Sequence, residues 1–196
     1  MATNVVVLID GGHLRAVARS AKKAYHANLV DRVARSVVNA PDEQLFRALY
    51  YDCDPFVGTV KQPISGTPHH FSQTSSLLSD IEQLELFAVR RGVLKFRGWE
   101  RNQQSLGKSA NALTDADFDP RWEQKGVDLR LGLDMLGLTE TRAAPLIIVL
   151  TGDTDLIPAL KLCRGRGLQV AGVDLPGRPI GKELRAHLDF FRSATL

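Results

Sequence analysis

An α/β fold with a mainly parallel sheet is predicted, because short apolar runs typical of buried strands alternate with segments of helical spacing. The clearest example is residues 146–160, LIIVLTGDTDLIPAL, where an apolar β-branched run is followed by a turn and then by a helix. A run that is apolar at every position suits a strand covered on both faces, as in a parallel sheet. Alternating strands and helices then imply right-handed crossover connections.

The first half of the chain repeats this pattern. Residues 5–9, VVVLI, form a second apolar run, which ends in Asp10 and two glycines that let the chain turn. Glycines and prolines over 58–72 indicate a loop, and Gly92 is placed to end the preceding helix. In this half we predict strands over residues 5–9 and 45–51, helices from residue 13, over 29–38 and over 76–90, and a loop over 58–72.

The second half contains the central unit and a long polar segment. Apolar and basic residues interleave from Leu94, so Lys95 and Arg97 should share one face of an edge strand. Residues 100–124 are polar and predict a loop whose acidic run is a solvated surface. We predict further strands over 93–99, 146–150 and 167–173, and helices over 125–136, from residue 154 and over 182–191. Without a repeat or linker, residues 1–196 are predicted to form one domain.

Composition limits the class of protein. The 196 residues have a net charge of +3 and a pI of about 9.0, which permits a polyanionic partner without requiring one. Cys53 and Cys163 match neither a disulfide framework nor a zinc-binding spacing. The apolar runs are too short for a membrane span or a signal peptide. We therefore expect a cytoplasmic protein without a membrane partner.

Four aspartates are placed where a metal ion could bind. Asp10 follows the first strand, and Asp153 and Asp155 follow the central one. Asp128 lies near the start of a helix that could return to the same edge of the sheet. Crowded carboxylates need a counter-charge, which a hard divalent cation supplies, and such a cation can activate water against a phosphoryl group. The alternative for Asp153 is that it only caps the helix.

Other phosphate-binding patterns are absent from the sequence. No G-x-x-x-x-G-K-[ST] loop occurs, and no G-x-G-x-x-G follows a predicted strand. Asp10 is followed by two glycines, so the Asp-x-Asp expected of haloacid dehalogenase-type phosphatases is missing. These absences argue against ATP-binding and dinucleotide-binding proteins.

Three motifs together resemble a known family. IDGGHL at residues 9–14, KGVDLRLGLDM at 125–135 and TGDTDLIPAL at 151–160 are similar to the motifs of the NYN domain, in the LabA-like branch of PIN-like nucleases. LRAHLDFF at 184–191 is similar to the end of that domain. The resemblance implies a single PIN-like domain with a three-layer α/β/α sandwich, and RNA cleavage that depends on Mg²⁺ or Mn²⁺.

The same resemblance implies roles for individual residues. The metal ligands would be Asp10, Asp128 and Asp153, with Asp155 as a further catalytic residue that binds the ion or orients the attacking water. His13 stands where the family often has Asn. The candidates to support the ligands or contact substrate are His13, Lys125, Asp134, Thr151 and Thr154. Apart from the resemblance, the positive charge of Arg15, Lys95 and Arg97 makes them candidates to contact nucleic-acid phosphates, as it does Lys125.

The expected function is therefore a metal-dependent ribonuclease that hydrolyses phosphodiester bonds of single-stranded RNA. Two alternatives stay open: an NYN-domain module that binds RNA or protein with a weak or lost active site, and a metal-dependent phosphatase. RNA is the expected partner, and the sequence leaves open whether the protein forms a homo-oligomer.

Overall fold

Nine strands and six α-helices make up the chain in a computed structural model that describes all residues 1–196. The strands are β1 (Thr3–Asp10), β2 (Glu43–Cys53), β3 (Gly58–Lys61), β4 (Pro68–Phe71), β5 (Phe87–Arg101), β6 (Phe118–Lys125), β7 (Leu146–Leu150), β8 (Gln169–Asp174) and β9 (Phe190–Ser193). The helices are α1 (Gly11–Ser20), α2 (Ala27–Ser36), α3 (Leu77–Glu82), α4 (Val127–Thr141), α5 (Ile157–Gly165) and α6 (Lys182–Arg185).

A seven-stranded sheet has the order β6-β5-β2-β1-β7-β8-β9. The pairs β1–β2, β1–β7, β7–β8 and β8–β9 are parallel, and β5–β6 is antiparallel. The prediction of a three-layer α/β/α arrangement around a mainly parallel sheet is confirmed. The strand order changes direction at β1, which has β2 on one side and β7 on the other, and such a switch point is where ligands bind in open α/β sheets.

The chain divides into two compact units, the first made of Met1–Asp52, Ser76–Arg91 and Gly126–Leu196 and the second of Cys53–Ser75 and Gly92–Lys125. In the first unit, Val5, Val7 and Ile9 of β1 pack in one core cluster with residues of α1, α2 and α3. The alternate residues of β1 are equally buried. Helices α4 and α5 pack together, and the Cys163 thiol lies 3.6 Å from the Met135 carbonyl oxygen. None of the helices is long and apolar enough to cross a membrane.

The second unit corrects the prediction of two long loops. Strands β3 and β4 form an antiparallel hairpin within residues 58–72, and β6 occupies the end of the segment 100–124 and pairs with β5. The unit has a half-buried aromatic cluster whose ring centroids lie 5.0–6.5 Å apart, built from Phe56, Phe71, Phe96, Trp99 and Trp122. Contacts between aromatic residues far apart in the sequence therefore stabilise strands that the local pattern does not show.

The acidic run of the second unit is not simply a solvated surface. Asp115 accepts hydrogen bonds from the backbone N–H groups of Ile64 and Ser65, at 2.9 and 3.2 Å. Asp117 is buried, pairs with Lys108 and accepts a hydrogen bond from the Thr114 N–H. These carboxylates hold turns of the second unit in place.

Two predicted helices are shorter than expected. Within residues 76–90, the only helix is α3. The chain leaves the helical conformation at Leu86, which has a φ of 69°, and β5 begins at Phe87 instead of after Gly92. The Ala48 N–H of β2 donates to the Leu86 carbonyl, so this segment joins the sheet. Likewise α6 ends at Arg185, and Phe190 starts β9, which pairs with β8.

Candidate functional site

Asp10 and Thr151 meet at the carboxyl edge of the sheet because β1 and β7 are parallel neighbours, with Ile9 paired to Leu150. Asp10 is the N-cap of α1, and its Oδ1 accepts a hydrogen bond of 3.0 Å from the His13 N–H. Its Oδ2 accepts one of 3.2 Å from the Thr151 hydroxyl. The carboxylate is thus oriented by both strand ends.

The turn after β7 continues this network. The buried Thr151 hydroxyl accepts a hydrogen bond of 3.1 Å from the Asp153 N–H. Asp153 Oδ1 accepts one of 2.9 Å from the Asp155 N–H and caps the 3-10 turn that precedes α5. Asp153 is therefore a helix cap, but its second oxygen and the exposed carboxylate of Asp155 remain without protein donors. Thr154 is exposed and its hydroxyl makes no hydrogen bond.

Asp128 lies in the first turn of α4, after Gly126, whose φ of 77° lets the chain enter the helix. Burial raises the pKa of Asp128, and so do the negative charges of Asp153, Asp10 and Asp155. Burial also raises the pKa of Asp10, and the hydrogen bond from His13 offsets this only in part. The charges of the other three predicted carboxylates therefore act on Asp128 at the switch point of the sheet.

The chemistry of these residues suits a hard divalent cation, since every donor is a carboxylate or hydroxyl oxygen. Their side chains do not form a metal-binding geometry in this structure. No three or more His, Cys, Asp or Glu residues are close enough together to bind one metal ion. One oxygen each of Asp10 and Asp153 is used by a backbone N–H. A shared ion would have to draw the remaining oxygens together.

His13 lies over the turn after β7. A Cβ added to Gly152 would lie 2.9 Å from the imidazole, so the ring rests against the glycine backbone. Burial lowers the pKa of His13; the Asp10 charge opposes this, and the Arg178 charge adds to it. The imidazole is therefore neutral at pH 7 and beside the carboxylates.

Arg15 pairs with a carboxylate of the first unit that is not one of the four predicted aspartates. It forms an ion pair with Asp52, whose side chain is completely buried. Tyr50 donates a hydrogen bond of 3.0 Å to the same carboxylate, and the Tyr25 and Tyr50 hydroxyls lie 2.8 Å apart. This cluster could not be predicted from the sequence, because Asp52 directly follows the predicted strand 45–51 as a loop residue would, although it lies within β2.

Asp134 lies in a separate polar cluster and is not among the charges that raise the pKa of Asp128. Its Oδ2 accepts hydrogen bonds of 2.8 Å from the Tyr51 hydroxyl and from Arg90 Nε. Six residues separate Asp134 from Asp128 along α4, which is about 9 Å at ~1.5 Å per residue. The structure gives Asp134 a role in joining α4 to β2.

The predicted basic contacts of the second unit are mostly paired. Lys125 and Arg97 both form ion pairs with Glu123, and their hydrogen bonds lower the pKa of that carboxyl. Lys95 is exposed and has no ion-pair partner. It alternates with half-buried Leu94 and Phe96, as predicted. Strand β5 lies between β6 and β2, however, so the prediction of an edge strand is wrong.

Comparisons with known proteins support the fold and give no information on function. No family model matches the chain, and no curated protein matches it in sequence. A crystal structure of a protein of unknown function from Vibrio parahaemolyticus is similar, with a TM-score of 0.55 and 12% identity. The similarity covers 98% of this chain and 93% of that chain. At this identity it supports the fold alone, so membership of the NYN family stays a prediction.

Proposed function

We propose that the protein is a divalent-metal-dependent nuclease that hydrolyses single-stranded RNA. The observation that supports this best is that the charges of Asp153, Asp10 and Asp155 act on Asp128 at the switch point of the sheet and raise its pKa. Such crowding disfavours the ionised form of Asp128 unless a cation is present. The resemblance to NYN-domain motifs supplies the choice of nucleic acid.

Asp10, Asp128 and Asp153 would hold Mg²⁺ or Mn²⁺. When bound, the ion would lower the pKa of a water molecule and stabilise negative charge on a phosphoryl oxygen. The residues of the chain do the positioning: Thr151 orients Asp10 and fixes the turn that presents Asp153. The Asp155 carboxylate is exposed at the end of the same turn, and it would accept a hydrogen bond from an attacking water.

Two other functions would use the same fold. A module that only binds RNA or protein would need no complete metal site. A metal-dependent phosphatase would act on small phosphoesters and would not show the steep salt dependence of polynucleotide binding.

A substrate panel separates these functions. Purified protein with Mn²⁺ or Mg²⁺ is given labelled single-stranded RNA, single-stranded DNA of the same sequence and a small aryl phosphate. Cleavage of the RNA supports the proposal. Binding of RNA without cleavage would favour the binding module, and hydrolysis of the aryl phosphate alone would favour the phosphatase.

A further inference from the structure

The turn that follows β8 presents an arginine at the carboxyl edge of the sheet. Strand β8 is parallel to β7, with Val149 paired to Gly172, so the end of β8 lies beside the turn that contains Asp153. Leu175 and Arg178 exchange backbone hydrogen bonds of 3.3 and 2.9 Å. Gly177, with a φ of 70°, closes the turn between them. The backbone of Arg178 is thus fixed by two hydrogen bonds.

The Arg178 side chain is exposed and has no ion pair or hydrogen bond. Its neighbours in the first unit differ in this respect. Arg15 is used by Asp52, and Arg185 is used by Asp174 and by the ring of Phe191, 3.8 Å from its guanidinium carbon. Arg178 is therefore a cation at the carboxylate edge that no protein anion neutralises.

His13 lies at the same edge of the sheet as Arg178. The imidazole is half-buried against Gly152, and its ring nitrogens have no hydrogen-bond partner. His13 packs on the turn that follows β7, and Arg178 follows the neighbouring strand β8, so the two residues belong to adjacent strand ends. The lowering of the His13 pKa by the Arg178 charge agrees with this placement. A guanidinium and an imidazole without hydrogen-bond partners are thus available at the edge of the sheet where Asp10 lies. The guanidinium has only N–H donors, and the neutral imidazole has one N–H donor and one acceptor nitrogen.

We propose that Arg178 and His13 form a phosphate-binding subsite beside the four carboxylates. The identity of its ligand, a phosphodiester of single-stranded nucleic acid, rests on the proposed nuclease function. A guanidinium binds a phosphate through two parallel N–H donors, and the imidazole N–H adds a third. The subsite would hold the phosphate next to the one at the carboxylates and offset their repulsion of a polyanion.

Binding of RNA tests the subsite in the Asp153→Asn background, where the expected loss of cleavage leaves the labelled strand intact. Arg178→Gln should weaken binding about 5- to 10-fold and reduce the salt dependence by about 0.7, the value for one phosphate contact on a single strand. The matched control is Arg166→Gln, because Arg166 is also exposed and unpaired but lies at the end of α5, at the opposite edge of the sheet. This control should change neither quantity.

A second measurement does not depend on RNA. Inorganic phosphate is titrated into the wild-type chain while the His13 imidazole resonances are followed by NMR, with Arg178→Gln and Arg166→Gln alongside. We expect a saturable shift that Arg178→Gln removes and Arg166→Gln retains. No shift in the wild-type chain, or an equal shift in Arg178→Gln, would overturn the subsite. Phosphate binding without RNA cleavage would instead count against the nuclease and leave the subsite standing.

Discussion

Arg15 and Asp52 form an ion pair in which the carboxylate is fully buried and the guanidinium keeps 36% of its side-chain surface exposed. The Tyr50 hydroxyl donates to the same carboxylate. This pairing explains why a residue predicted to contact phosphate instead neutralises a charge inside the first unit. It also explains why the cation at the carboxylate edge has to be sought elsewhere.

Replacement of Arg15 should destabilise the fold. Arg15→Met leaves Asp52 buried without its cation, and we expect a loss of about 2–3 kcal/mol, below the full cost of breaking a buried pair because the guanidinium is partly exposed. The free energy of unfolding is measured in urea. The double variant Arg15→Met with Asp52→Asn should recover most of the loss. An unchanged stability in the single variant would contradict a structural role for Arg15.

Gly11 should tolerate no side chain. A Cβ at this position would lie 2.5 Å from the Tyr50 hydroxyl and 2.7 Å from Asp52 Oδ2, both buried. Gly11→Ala is expected to cost about 1–3 kcal/mol through overpacking. Gly137 of α4 is the matched control, since an added Cβ meets nothing within 4 Å, and Gly137→Ala should stabilise by about 0.4–1 kcal/mol. Equal effects of the two variants in urea denaturation would contradict this.

Asp128 should lower stability at neutral pH in the absence of metal. Its pKa is higher in the folded chain than in the unfolded one, so its contribution is most favourable below the unfolded value of 3.8 and is lost as the pH rises through the folded value. Asp128→Asn should therefore be more stable than wild type at pH 7, by less than about 1 kcal/mol because the group is partly solvated. The difference should vanish near pH 3.

The control for this comparison lies on the same helix. Asp134→Asn weakens the hydrogen bonds from Tyr51 and Arg90, so it should lower stability at pH 7. Thermal unfolding with a chelator present, measured across the pH range, compares the three chains. A less stable Asp128→Asn at pH 7 would mean that Asp128 is held by a favourable contact, against the crowding that supports the metal site.

Mn²⁺ should stabilise the folded wild-type chain. A ligand that binds only the folded state adds about 2.7 kcal/mol at 100 times its Kd, so the midpoint of thermal unfolding should rise with Mn²⁺ concentration. Asp10→Asn keeps the helix cap, since Asn is a good N-cap residue, but loses a charged ligand. The variant should fold and show little Mn²⁺-dependent rise. The same rise in both chains would place the ion elsewhere.

The parallel strands and the positions of the carboxylates could be predicted from short stretches of sequence. Residues 5–9 and 146–150 are apolar at every position, and each is followed by an aspartate and small residues, so local pattern determines both the strand and the turn. The aromatic cluster of the second unit could not be predicted in this way. Phe56, Phe71 and Trp122 come from separate segments, and only their packing against one another makes β3, β4 and β6 favourable.

The partners of charged residues could not be predicted from local sequence either. Lys125 and Arg97 form ion pairs with Glu123. Nothing in the sequence around them distinguishes this pairing from contact with a phosphate. Arg178 follows a Pro-Gly pair, which in the sequence predicts an ordinary loop. The parallel pairing of β7 with β8 brings it to the edge of the sheet where Asp153 lies. Long-range strand order therefore decides which basic residues are free.

The most direct test of the account is cleavage of end-labelled single-stranded RNA by the wild-type chain and by Asp153→Asn, with Mn²⁺ and with a chelator. The account predicts cleavage by the wild-type chain only when Mn²⁺ is present, and none by Asp153→Asn, which should fold with unchanged or higher thermal stability because Asn also caps the turn. Cleavage by Asp153→Asn at the wild-type rate, or by the wild-type chain with the chelator, would contradict a metal-dependent nuclease at the carboxylate edge.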